Sequence, residues 1–259
     1  MRKWTRVMYQ PNRPLKEGCY VTASKEHIAL SREAAAEGMV LLKNEHKLLP
    51  LKAGSRIALF GKGSFDYVKG GGGSGDVTVS YVHNLYDGFQ MLHDAVSLYE
   101  PLCDFYRANV NEQYDQGSVP GMTTEPALSA ELLAGASAYT DTAVIVLSRF
   151  SGEGWDRSSI EYNGEYNPWE TETSMPKISG EIFPDGDFYL TKEESAMIAQ
   201  VKQHFSRIAV VLNIGGIIDT SWIKNDDQIS SALIAWQGGM EGGMAVADIL
   251  CGDVNPSGK

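Results

Sequence analysis

The sequence is poor in cationic residues: 22 Lys and Arg stand against 33 Asp and Glu, a formal net charge of −11 over 259 residues. Nucleic acid and anionic membrane surfaces are bound through clustered positive charge, so neither is expected as the main partner. Cysteine is scarce as well. Cys19, Cys103 and Cys251 are far apart, odd in number and without metal-ligand spacing. They read as free thiols in a reducing, cytoplasmic compartment rather than as a disulfide framework. The five histidines (His27, His46, His83, His93, His204) form no H-E-x-x-H or related pattern, and no metal is expected. No apolar stretch approaches the roughly 20 residues that span a bilayer. The opening MRKWTRVMYQ has basic groups but no apolar segment behind them, so no secretion signal is visible. A nucleotide cofactor is not expected either. Gly61-Lys62-Gly63 lacks the third glycine of the dinucleotide fingerprint, and no G-K-[ST] occurs.

What is present is a globular composition, 43% hydrophobic, in which strand-like and helix-like patterns alternate. Arg56 to Phe60, Thr142 to Leu147, Arg207 to Leu212 and Ala232 to Trp236 read as buried strands. Ser24 can cap a helix running to about Lys43, with Ile28, Ala35, Met39 and Leu42 on one face and close packing expected at Gly38. Further helices are expected from near Asn84 (Leu85, Phe89, Leu92, Val96) and from Ser129 to about Ala138. Thr191-Lys192-Glu193-Glu194 is a capping box opening a helix through about His204, and Glu241 to Leu250 is helical. Residues 99–128 are ambiguous, and 148–190 read as a long polar segment with many aromatics. Such alternation predicts an α/β fold, a three-layer α/β/α sandwich around a mostly parallel, roughly six-stranded sheet. One domain over 24–259 preceded by an arm, 1–23, is expected.

Two segments carry chemistry. Glu153 stands between Gly152 and Gly154, directly after the strand 142–147. A carboxylate on a mobile loop at a strand's carboxyl end suits general acid/base work, although a solvated polar loop would look alike. The second segment is Gly70 to Gly73 followed by Ser74-Gly75-Asp76. It suits a phosphate cradle, a flexible surface loop, or a neutral ligand held by Ser74 and backbone groups. Because each follows a predicted strand, Ser74 and Glu153 are expected to face one crevice. Trp155, Tyr162, Tyr166, Trp169, Phe183, Phe188 and Tyr189 suit sugar rings, or a patch that docks on another domain. Glu161, Glu165, Glu170, Glu172 and Glu181 read as solvated loop charges.

Together these motifs resemble the α/β sandwich domain of glycoside hydrolase family 3, the β-glucosidases and their relatives. The resemblance runs from about residue 24 to the end. It is carried by Ala34 to Glu45, Leu48-Leu49-Pro50-Leu51, Arg56 to Gly61, Lys69 to Asp76, Ser151 to Arg157, and Trp236 to Gly243 with Asp248 to Lys259. It implies a retaining β-glycosidase in which one carboxylate attacks the anomeric carbon and a second serves as acid, then base. The acid/base position corresponds to Glu153, while the Asp nucleophile of such enzymes lies on a separate barrel domain. Ser74, Gly75 and Trp155 correspond to substrate-binding positions, Ser74 being the loop serine that reaches the sugar. Expected partners are therefore a small oligosaccharide or glycoside substrate and a barrel domain of the same polypeptide. Since no barrel precedes the sandwich, reversed domain order is expected, with this chain inactive alone and 149–189 poorly ordered without the barrel. A carbohydrate-binding or interaction module that does no chemistry is the alternative.

Overall fold

The computed structural model describes residues 15–20, 23–92, 96–153 and 175–259. Its centre is a six-stranded sheet: β1 (Val40–Asn44), β2 (Ser55–Phe60), β3 (Val96–Leu98), β4 (Thr142–Arg149), β5 (Arg207–Ile214) and β6 (Ile229–Ile234), in the spatial order β1-β6-β5-β4-β2-β3. All neighbours are parallel except β1, which pairs antiparallel with β6 at one edge. A two-residue hairpin, Leu15–Lys16 with Cys19–Tyr20, stands apart from the sheet.

Side chains alternate across a strand, so one apolar run feeds two cores. Ala143, Ile145 and Leu147 of β4 and Ile208, Val210 and Leu212 of β5 face one way. There they meet α3 (Glu100–Asp115), α4 (Ala130–Tyr139) and α6 (Lys192–His204), through Leu102, Tyr106, Leu133, Ala136, Met197 and Val201. Val144, Val146, Ala209 and Val211 face the other way. They meet α1 (Lys25–Gly38), α2 (Leu85–Met91) and α8 (Gly242–Cys251), through Ala36, Leu85, Phe89, Val246 and Leu250. The expected α/β/α sandwich is present. Two short helices, α5 (Met175–Ile182) and α7 (Ser221–Lys224), and three single-turn 3-10 helices, Lys62–Ser64, Gly73–Gly75 and Gly239–Glu241, complete the described elements.

Local details differ from the sequence reading. The first helix stops at Gly38, Met39 is extended (φ −71°, ψ 148°), and residues 40–44 form an edge strand instead of a last helical turn. Leu42 is consequently exposed, and a Cβ at Gly38 would meet nothing within 4 Å, so side-chain packing does not require the glycine there. The ambiguous stretch 99–128 holds the 16-residue α3, with proline in its first turn, where the missing N–H costs nothing. Val96 lies in β3, not in the preceding helix.

Candidate functional site

A parallel sheet delivers its connecting loops to one edge, and ligands of such sheets bind there. Here the loops after β2 and β4 meet at that edge backbone to backbone. Gly72 and Gly152 form a parallel bridge, in which the Gly72 N–H donates to the Ser151 carbonyl (3.0 Å) and the Glu153 N–H to the Gly72 carbonyl (3.3 Å). The glycines suit this close approach. A Cβ at Gly152 would lie 3.0 Å from the Gly72 nitrogen, and one at Gly73 (φ +81°) would lie 2.4 Å from Glu153 Cβ. Gly152 thus docks the Glu153 loop rather than freeing it. Gly61 and Gly63 likewise back onto the Val146 carbonyl of β4.

This docking brings Ser74 onto Glu153. Both Ser74 donors reach the same oxygen: the backbone N–H lies 2.9 Å and Oγ 2.8 Å from Glu153 Oε2. These two hydrogen bonds, the backbone one foremost, hold the Glu153 carboxyl below its ordinary range. The side chain is exposed, so this edge of the sheet presents a carboxylate that favours its ionised form. Gly75 follows in the turn Gly73–Gly75, also exposed. Lys69 closes the base of the glycine loop through Asp76 (3.0 Å). The Asn213 side chain, at the end of β5, binds both the N–H and the carbonyl of Val68 and the carbonyl of Trp236. One amide thereby ties together the loops after β2, β5 and β6.

Beneath the rim lies a buried polar network that sequence reasoning missed. Lys62 and Asp66 pair at 3.0 Å with almost no exposure. Asp66 also accepts from Tyr114 (2.7 Å), the Gly121 N–H (2.7 Å) and Thr123 (2.6 Å). Burial pushes the Asp66 carboxyl up, but Lys62 and these three donors outweigh it and hold the group below its ordinary range. Arg149, the last residue of β4, forks onto both oxygens of Glu194 (2.6 and 2.5 Å) and lies 4.4 Å from the Phe183 ring centre. Burial works against the Glu194 charge, and Arg149 overcomes it. Glu125 accepts the Lys62 N–H (2.9 Å) and the Tyr106 hydroxyl (2.8 Å), yet burial raises its pKa to about 7.

Ser74 and Glu153 are therefore brought together, with Gly75 beside them. Trp155 lies outside the described residues, as do Tyr162, Tyr166, Trp169, Glu161, Glu165, Glu170 and Glu172. The expected disorder of 149–189 also falls largely on those residues. Phe183 departs from the sugar-platform expectation: it is buried beside the Arg149 guanidinium. Glu181 is exposed. The sequence did hold a signal for the network. A lysine between two glycines and an arginine closing an apolar strand are both poorly placed for solvent. Among the described residues, no group of three or more His, Cys, Asp or Glu side chains is arranged to hold a metal, and no helix is long and apolar enough to cross a membrane.

Comparison with known proteins places the fold. Residues 39–259 match the glycosyl hydrolase family 3 C-terminal domain. The chain is 55% identical over 260 residues to Beta-glucosidase A of Butyrivibrio fibrisolvens, covering 100% of this chain and 31% of that protein. It is 32% identical to a beta-glucosidase of Ruminococcus albus, over 90% of this chain and 22% of the relative. Among solved structures, a beta-glucosidase from Paenibacillus barengoltzii superposes with a TM-score of 0.73 at 34% identity, covering 90% of this chain and 23% of that one. Beta-glucosidase 3B from Thermotoga neapolitana, in complex with alpha-D-glucose, gives 0.74 at 32% identity, with 93% and 32% covered. The chain thus spans about a third or less of these relatives' length.

Proposed function

Because the chain belongs to glycosyl hydrolase family 3, as that family's C-terminal domain, we propose that it supplies the acid/base half of a retaining β-glucosidase-like active site. Glu153 is the acid/base. Ser74, Gly75 and Trp155 contact the sugar. The nucleophile is an Asp on a barrel domain of the same polypeptide. The substrate is a terminal β-linked sugar on an oligosaccharide or glycoside. No cofactor and no metal take part.

The observation that carries this reading is the convergence of Ser74 and Glu153 at the carboxyl edge of the sheet. A retaining site needs two carboxyl groups roughly 5–5.5 Å apart, and this crevice contributes one. In the first step Glu153 protonates the glycosidic oxygen as the nucleophile takes the anomeric carbon. In the second it removes a proton from the water that releases the sugar. The acid step calls for a raised pKa, whereas Ser74 lowers it here. The missing contribution is what a docked barrel supplies: a second carboxylate nearby and exclusion of water, each of which disfavours the ionised form. The unpaired Cys103 and Cys251, pushed up to about 12 and about 11 by burial, suit a reducing, cytoplasmic setting.

The test is leaving-group dependence in the full-length protein. Glu153→Ala is expected to slow glycosylation from an alkyl or sugar aglycone by roughly 10²–10⁴-fold. A dinitrophenyl aglycone needs little protonation and should be slowed far less. Azide should restore deglycosylation and yield a glycosyl azide of unchanged anomeric configuration. Equal losses for both aglycones with no azide product would assign the acid elsewhere.

A further inference from the structure

We propose, building on the acid/base role of Glu153, that Ser74 is a positioning residue that couples sugar binding to the protonation of Glu153: both Ser74 donors clasp the carboxylate, and an incoming sugar takes those donors and releases it. Three features support the exchange. The Ser74 N–H and Oγ–H are both spent on one oxygen of Glu153, so a sugar oxygen that accepts from Ser74 must take a donor from the carboxylate. Both residues are exposed, so a ligand can enter between them. The clasp is also built into the backbone. The positive φ of Gly73 and the absence of a Cβ there let Glu153 lie flat against the loop, and the Lys69–Asp76 pair holds that loop closed at its base.

Proton bookkeeping over a cycle is balanced. The released carboxylate takes one proton from solvent. It passes that proton to the glycosidic oxygen as the C–O bond breaks and the nucleophile's bond to the anomeric carbon forms. It next takes a proton from the attacking water as the glycosyl–enzyme bond breaks. When the sugar departs and the clasp re-forms, that proton returns to solvent. Binding therefore draws in a proton that product release gives back. The depressed pKa of the clasped carboxyl has the sign this requires.

The experiment is calorimetric titration of the full-length protein with glucose, a neutral probe, in two buffers of different ionisation enthalpy at a pH close to the ordinary glutamate value of about 4.3. Wild type is expected to take up as much as about one proton per site on binding. Ser74→Ala, which keeps the backbone N–H but loses Oγ–H, should lower that uptake, because the carboxyl of Glu153 in the free protein moves back toward its ordinary range. Ser74→Thr, which keeps both donors, should restore it. No uptake by wild type, or equal uptake by Ser74→Ala, overturns the clasp. Should Ser74→Ala bind too weakly, kcat/KM against pH decides the same question. The free-enzyme limb belonging to Glu153 moves to higher pH in Ser74→Ala, and an unmoved limb overturns the proposal. Glu153→Gln separates the two levels. Retained turnover of an alkyl glucoside removes the acid/base role itself, whereas lost turnover with unchanged uptake in Ser74→Ala removes only the clasp.

Discussion

Glu125 and Glu153 belong to loops at the same end of the sheet, and their surroundings push them in opposite directions. Glu125 is buried beside Lys62 and Tyr106, and desolvation lifts it to about 7. Glu153 is exposed, draws both its hydrogen bonds from one serine, and sits below its ordinary range. The difference is one of self-sufficiency. In the layer under the rim, Lys62, Asp66, Arg149 and Glu194 satisfy one another and fix where β2 and β4 deliver their loops. The rim has geometry but no dielectric shelter. Under the proposed function, acid chemistry at the rim needs a second surface, and the chain spans a third or less of its relatives.

Breaking the lower layer should have the largest effect. Arg149→Met leaves Glu194 buried without its cation, a loss of about 3–5 kcal/mol in urea denaturation. Glu153→Gln, at an exposed side chain, should leave the denaturation midpoint essentially unmoved. Comparable losses from both would mean that the rim is as structural as the layer beneath.

The next effect is on pH dependence. The folded-state pKa of Glu125 lies above its unfolded value, so the folded chain binds the extra proton. Its contribution is complete below about pH 4.5 and is lost as pH rises through about 7, in total on the order of 3 kcal/mol. Glu125→Gln should flatten that part of the stability profile. Glu153 has the opposite sign and, being exposed, should leave the profile unchanged when replaced. A profile that is already flat in wild type would contradict the buried assignment.

A smaller stability effect than that of Glu125 is expected at the contact between the two loops. Gly73→Ala places a Cβ in left-handed backbone and against Glu153, costing about 1–2 kcal/mol if the loop does not move. Because the loop is exposed it should give way, so the larger signature is kinetic. The full-length variant should lose more kcat on alkyl than on dinitrophenyl glucosides. Equal losses would show that the contact does not position the acid.

The strands were legible because β4 to β6 are apolar runs bounded by polar or glycine-rich segments, and α6 because its capping box is local. What failed was long-range. Residues 40–44 continue a helical period from Met39, and only pairing with β6 makes them a strand. The helix α3 hides because its buried face is Leu102, Cys103, Tyr106 and Val110 amid polar neighbours. The Ser74–Glu153 contact was foreseeable from two loops at strand ends. The network beneath it was not: Arg149 finds Glu194 across 45 residues, and Glu194 taken alone reads only as a helix cap. A glycine's meaning was also hidden, since Gly152 reads as freedom in sequence and is a docking contact in space.

The central claim is that this chain holds the acid/base and not the nucleophile. The most direct test is to incubate the full-length protein with 2,4-dinitrophenyl 2-deoxy-2-fluoro-β-glucoside, which traps the glycosyl-enzyme, and to locate the adduct by peptide mass mapping. The expected result is a single fluoroglucosyl adduct on an Asp outside residues 1–259, with every peptide of this chain unmodified. An adduct on Glu153, or on any carboxylate of this chain, would contradict the account.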